Sequence, residues 1–332
     1  SVDSKLMNEF YKEGGAFYNF YIFVKERLSD LAVCLRGNSG STGRIIIYRN
    51  NHIVWELYLT QNDETGIARV DINLDHARYY DKCKKWDDFI EKFDKKKGFI
   101  NDKIKYPKKK TDSKGRESVS VGKITAEPID GKCFSYDFVE ESYVIIKDIM
   151  DSYFSIDKTE DWFRKLAGMS KSNRKKNLYV EKRWQQKLFN QLKYYYNGLF
   201  VYDMEFTQKS HVSVDDGAKK NEPDMFAIRY EEGEPKAIVL IEVKSTISAC
   251  TGMSGVENHF KGMYNYIKDE ELIKNRRKEA ANILKQYGEA KLYVNDKQKI
   301  PDESNNLPFE IIMIFTTNNL ADMKKEDDIE PD

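Results

Sequence analysis

Soft metal ligands are scarce in this chain: 332 residues include only four cysteines and four histidines. Cys34, Cys83, Cys133 and Cys250 never stand as Cys-x-x-Cys, so a Cys/His zinc site is not expected. They are expected to be reduced thiols in a cytoplasmic protein. Seven prolines and eighteen glycines are too few for a collagen-like or linker-dominated chain. No apolar run approaches the eighteen or so residues a membrane span needs. The aromatic stretch Ala16 to Val24 is broken by Asn19 and lacks a basic lead-in, so it does not read as a signal peptide. The chain opens on Ser1 and is expected to have lost its original start. Charge of one sign is missing too. Lys and Arg number 55 and so do Asp and Glu, which excludes a uniformly basic wrapper of nucleic acid but not a local basic patch.

What is present is a globular composition, 40% hydrophobic and 33% charged, at a length that favours two domains. We expect an N-terminal α+β domain over residues 1–170, for target recognition or sensing, and a second domain over 171–332. Two basic segments lie near the junction. Residues 92–116 carry eleven Lys/Arg against three Asp, and residues 164–187 carry nine against Glu181 alone. Such runs are commonly solvated faces, yet Lys108, Lys109, Lys110, Arg174, Lys175 and Lys176 are candidates for phosphate contact.

The first half reads as a helix over about 3–33, then strands Arg44–Tyr48, Ile53–Leu59 and Ile67–Ile72, with a hairpin turn at residues 49–52. Helices are expected over about 74–95 and 140–168, with a lysine-rich loop over 95–117. Gly37 to Gly43 lacks the lysine of a phosphate-binding loop and leads into a strand, so it reads as a turn.

The second half follows the order α-β-β-β-α-β. Val180, Trp184, Leu188 and Leu192 mark one face of a helix over 179–196. Strands follow at Leu199–Phe206, Met225–Tyr230 and Ala237–Val243, then a helical region over 255–288 and a strand at Phe309–Thr316. If the second and third strands pair about Gly233, facing residue numbers sum to about 466 and Asp224 lies opposite Glu242. Ile238, Leu240, Glu242 and Lys244 then share one side of their strand. Carboxylates and an amine at the end of an apolar strand are costly without a cation or ion pairs. A hard divalent ion, Mg²⁺ with Mn²⁺ as substitute, suits Asp224, Glu242 and the carbonyl of Val243, with Lys244 beside a metal-bound water. Glu181 is positioned to join them from the preceding helix. Tyr194 to Tyr196 and Trp184 are weaker candidates for base stacking, and Asp215-Asp216 for the metal.

Glu181, Pro223-Asp224 and Glu242-Val243-Lys244, in this element order, resemble the PD-(D/E)XK nuclease superfamily over about residues 175–320. The tripeptide pattern alone recurs eight times, but only Glu242 closes an apolar strand at hairpin distance from a Pro-Asp. The resemblance implies a restriction-endonuclease-like α/β (α+β) core with a mixed sheet and Mg²⁺-dependent hydrolysis of DNA. It makes Asp224 and Glu242 metal ligands, Lys244 the catalytic lysine and Glu181 an accessory acid. His259 and Lys261 stand on the helix that turns basic or amide groups toward the phosphate in that family. The expected function is an endonuclease of restriction or anti-phage defence, acting on duplex DNA without a membrane, with a homodimer suited to double-strand cutting. The alternatives are a catalytically silent nucleic-acid-binding module, or an RNA-directed or resolvase-like nuclease.

Overall fold

The computed structural model describes residues 1–38, 41–49, 52–60, 66–73, 109–111, 117–119, 123–128, 132–154, 184–185, 187–192, 198–204, 223–244, 255–293, 298–302 and 306–315. The chain divides into two compact units, Ser1–Leu166 and Ala167–Asp332. Among the described residues they make a mixed α+β protein with a five-stranded antiparallel sheet, a four-stranded mixed sheet and a two-stranded antiparallel ribbon. Among the described residues no helix is long and apolar enough to cross a membrane.

In the first unit, helices α1 (Ser4–Tyr11) and α2 (Tyr18–Lys25) replace the single helix expected over 3–33. The break falls at Gly14-Gly15. Gly14 has φ +82°, and a β-carbon on Gly15 would lie 2.4 Å from the Glu9 carbonyl oxygen. After a turn over residues 26–30, the end of that span enters strand β1 (Leu31–Asn38), whose apolar run could equally have been buried helix until β2 (Ser41–Arg49) paired with it. Strands β3 (His52–Leu59) and β4 (Ala68–Asn73) continue the meander, with Arg49 opposite His52 at the hairpin. The expected helix over 74–95 lies outside the described residues.

Part of the lysine-rich segment is not loop. Strands β5 (Lys109–Thr111) and β6 (Glu117–Val119) pair as a two-stranded ribbon. Strand β7 (Lys123–Ala126) then closes the five-stranded sheet beside β4. Helix α3 (Tyr136–Phe154) packs on α2. The core between them is aromatic: Phe20 meets Trp55 edge-on at 5.1 Å, and Phe23 meets Tyr143 at 5.0 Å.

In the second unit, residues 184–185 and 187–192 are helical. Strands β8 (Leu199–Met204), β9 (Met225–Glu231) and β10 (Glu234–Lys244) form an antiparallel meander. Glu232 and Gly233, both at positive φ, make the tight turn between β9 and β10. Pro235 cannot donate to the ladder, and the register shifts beside it. From Ala237 onward facing residues sum to 466, with Ile241 opposite Met225.

The helical region is two helices, α4 (Val256–Lys268) and α5 (Glu270–Glu289). Asp269 ends the first and caps the second by accepting from the Leu272 amide at 3.0 Å. The chain then returns as β11 (Phe309–Phe315), parallel to β10, giving the sheet order β11-β10-β9-β8. Strand β10 is therefore central and buried from Ala237 to Lys244.

Candidate active site

The charged end of β10 is where an apolar strand stops being apolar. Glu242 and Lys244 lie two residues apart and so on one face, and both side chains are almost fully enclosed, at 2% and 4% exposure. Lys244 Nζ donates to Glu242 Oε1 at 2.7 Å. Without that partner either charge would cost several kcal/mol to bury, on the order of the penalty for an isolated interior ion. The pairing is incomplete: Glu242 Oε2 is buried and accepts no hydrogen bond from the described residues.

Asp224 sits one residue ahead of β9, where the Pro223-Asp224 step delivers the chain into the sheet. Its Oδ2 accepts from the Val243 amide at 2.7 Å, which fixes the carboxylate against the peptide linking Glu242 to Val243. Helix α4 supplies the third element. His259, in its first turn, places Nδ1 2.5 Å from Glu242 Oε1, off the direction a hydrogen bond needs. Its Nε2 stands 3.4 Å from Lys244 Nζ. The imidazole, 19% exposed, covers the buried pair.

The structure thus brings Asp224, Glu242, Val243, Lys244 and His259 together. It does not bring Lys261, which is exposed and paired with Glu257 one turn back. That pairing lowers the Glu257 pKa from its ordinary value. Lys109 and Lys110 belong to the β5–β6 ribbon of the first unit. Glu181, Lys108, Arg174, Lys175, Lys176, Tyr194 to Tyr196 and Asp215-Asp216 lie outside the described residues. Trp184 is half-buried, with Lys187 Nζ 5.0 Å from its ring centroid.

A second buried charge group lies on the same face of this sheet. Arg276 of α5 stacks 4.2 Å from the Phe226 ring centroid and stands 3.6 Å from Asp203 and 3.2 Å from Glu279. Burial opposes the Arg276 charge, yet Tyr202, Glu279, Tyr266 and Asp203 hold its pKa above the ordinary value. Burial also raises the pKa of Tyr202 and Tyr266. Both charges were visible in the sequence as exceptions. Asp203 interrupts an apolar strand, and Arg276 falls on the same helical stripe as Leu272, Ala280 and Ile283.

Among the described residues no three His, Cys, Asp or Glu side chains cluster as a metal-holding group. A carboxylate at the entry to β9 and one on β10 still suit a hard cation, because Glu242 Oε2 is an enclosed oxygen with no hydrogen-bond partner among the described residues. No family model, curated protein or solved structure matches this chain.

Proposed function

We propose that the second unit is a Mg²⁺-dependent endonuclease that hydrolyses DNA phosphodiester bonds, in a restriction or anti-phage role. The observation that carries this reading is the enclosed Lys244–Glu242 pair, whose second carboxylate oxygen has no partner among the described residues, next to Asp224 on the Val243 amide. The order β8-β9-β10, two helices, then a parallel β11 also suits a restriction-endonuclease-like core. The fold alone would not specify an activity.

Asp224, Glu242, the Val243 carbonyl and Glu181 are the groups that would hold magnesium. When bound, the ion would act as a Lewis acid and lower the pKa of a coordinated water. The protein's own part is positional and electrostatic. The Val243 amide holds the Asp224 carboxylate in place, and β10 presents Glu242 and Lys244 on one face. The Lys244 ammonium would meet the phosphate as negative charge grows on its oxygens, in a site shielded from water where such a contact is strong. Hydrolysis forms one phosphorus–oxygen bond from water and breaks another to the departing sugar oxygen. Cutting both strands of a duplex would call for two such sites, hence a homodimer.

The test is digestion of supercoiled plasmid by the full chain with Mg²⁺, Mn²⁺ or chelator. Divalent-dependent cleavage is expected, falling at least about 100-fold in Glu242→Gln and Lys244→Ala, on the scale of losing a group that stabilises transition-state charge. Circular dichroism checks that each variant is folded. Undiminished cleavage by both would reject the site. Binding without cutting under either metal would identify a silent binding module.

A further inference from the structure

Exposed aromatic side chains are few in the described residues, and their placement is not scattered. Phe260, Tyr264 and Phe315 are the aromatic residues that remain exposed, at 46%, 44% and 60%. All three belong to the second unit and to the two elements that border the Glu242–Lys244 pair. Phe260 follows His259 directly on α4, and Phe315 is the register partner of Lys244 on β11. Helix α4 and β11 also pack on each other.

Their arrangement on α4 is ordered. Phe260 and Tyr264 are one turn apart, with ring planes 10° from parallel and centroids 6.4 Å apart. Lys268, a further turn on, sets its ammonium 4.1 Å from the Tyr264 ring centroid. The helix thus displays two parallel aromatic planes and a cation in a row beginning beside the candidate site. Met263 and Tyr266 of the same helix are buried, so the core claims a different face.

We propose that Phe260, Tyr264 and Phe315 form a stacking platform for unpaired bases of the DNA strand carrying the scissile phosphate. The substrate class is then single-stranded or locally opened DNA, a departure from the duplex expected from sequence. This rests on the endonuclease reading for the position of the phosphate. An uninterrupted duplex hides its base faces and gives exposed rings little to stack on, whereas every unpaired base offers a π-face. His259, whose Nε2 stands 3.4 Å from Lys244 Nζ, immediately precedes Phe260, and Phe315 is the register partner of Lys244. A strand with its phosphate at Lys244 would have both exposed rings beside its path. Lys268 supplies the positive charge that a phosphate backbone requires.

The experiment measures fluorescence anisotropy of the full chain with labelled oligo(dT), oligo(rU) and a blunt DNA duplex, using Ca²⁺ in place of Mg²⁺ to hold off cleavage. Phe260→Ala/Tyr264→Ala is expected to weaken oligo(dT) binding by about 5- to 150-fold, the range for losing one stacked base, and to leave duplex binding unchanged. Phe315→Ala should weaken it further, and Phe260→Trp/Tyr264→Trp should restore it. Circular dichroism guards against unfolding. The proposal is overturned if wild type does not bind oligo(dT), if the alanine variants bind as wild type, or if duplex binding falls equally. It is also overturned if only oligo(rU) responds, or if the variants change only self-association in sedimentation. Plasmid cleavage by the same variants separates the two readings. Retained metal-dependent cutting with unaltered oligo(dT) affinity would sink the platform alone. Aromatic-dependent binding without any cutting would sink the nuclease alone.

Discussion

Lys244 donates to Glu242, two residues earlier on the same buried strand, and the two charges depend on each other for their place in the core. Removing one partner leaves the other stranded. Lys244→Met is expected to destabilise the second unit by about 3–5 kcal/mol. The double variant Glu242→Gln/Lys244→Met should recover much of that loss, since neither group is then charged. Urea denaturation of both singles and the double measures the coupling, and additive effects would show that the pair does not act as a unit.

Arg229 and Glu310 bracket the central strand from either side. The guanidinium of β9 grips the β11 carboxylate through Nε at 2.9 Å and a terminal nitrogen at 2.8 Å. Those hydrogen bonds hold the Glu310 carboxyl below its ordinary value of 4.5. A depressed carboxyl contributes stability above its unfolded pKa and loses it as pH falls through the folded one. Both side chains are about a third exposed, so the contribution is modest, about 0.2–1 kcal/mol. Glu310→Gln should therefore be less stable than wild type at neutral pH, and the gap should close below pH 4.5. Denaturant midpoints across that range check the sign.

Gly14 and Gly15 break the N-terminal helix for different reasons, and alanine should separate them. At Gly14 there is open space but φ is +82°, so Gly14→Ala should cost about 1 kcal/mol. At Gly15 the added carbon meets the backbone of Glu9, and the forced shift should cost about 1–3 kcal/mol. Thermal unfolding should rank Gly15→Ala below Gly14→Ala, and the reverse order would contradict the packing.

Phe20 is fully buried and touches the rings of Phe17, Trp55, Phe134 and Phe138. Phe20→Ala should cost the first unit about 3–5 kcal/mol, with Phe20→Leu milder because it leaves a smaller cavity. Equal losses in chemical denaturation would show that the site collapses around either replacement.

The amino-acid order by itself determined the elements of the second unit that have a strong local signature. The apolar run Ala237–Val243, the turn at Gly233 and the strand at Phe309 needed only burial pattern and turn chemistry. It also placed Glu242 and Lys244 on one side of a strand, because alternation is a property of extended backbone. Where two structures satisfy the same local pattern, tertiary pairing decided. Leu31–Leu35 became strand because β2 was there to pair with it. The helix at 255–288 became two because Asp269 was placed to cap. The approach of His259 to Glu242, the Asp203–Arg276 group and the Arg229–Glu310 clasp join residues 17 to 81 positions apart. No local rule reaches so far; such contacts exist only after the sheet has closed and the helices have folded back across it.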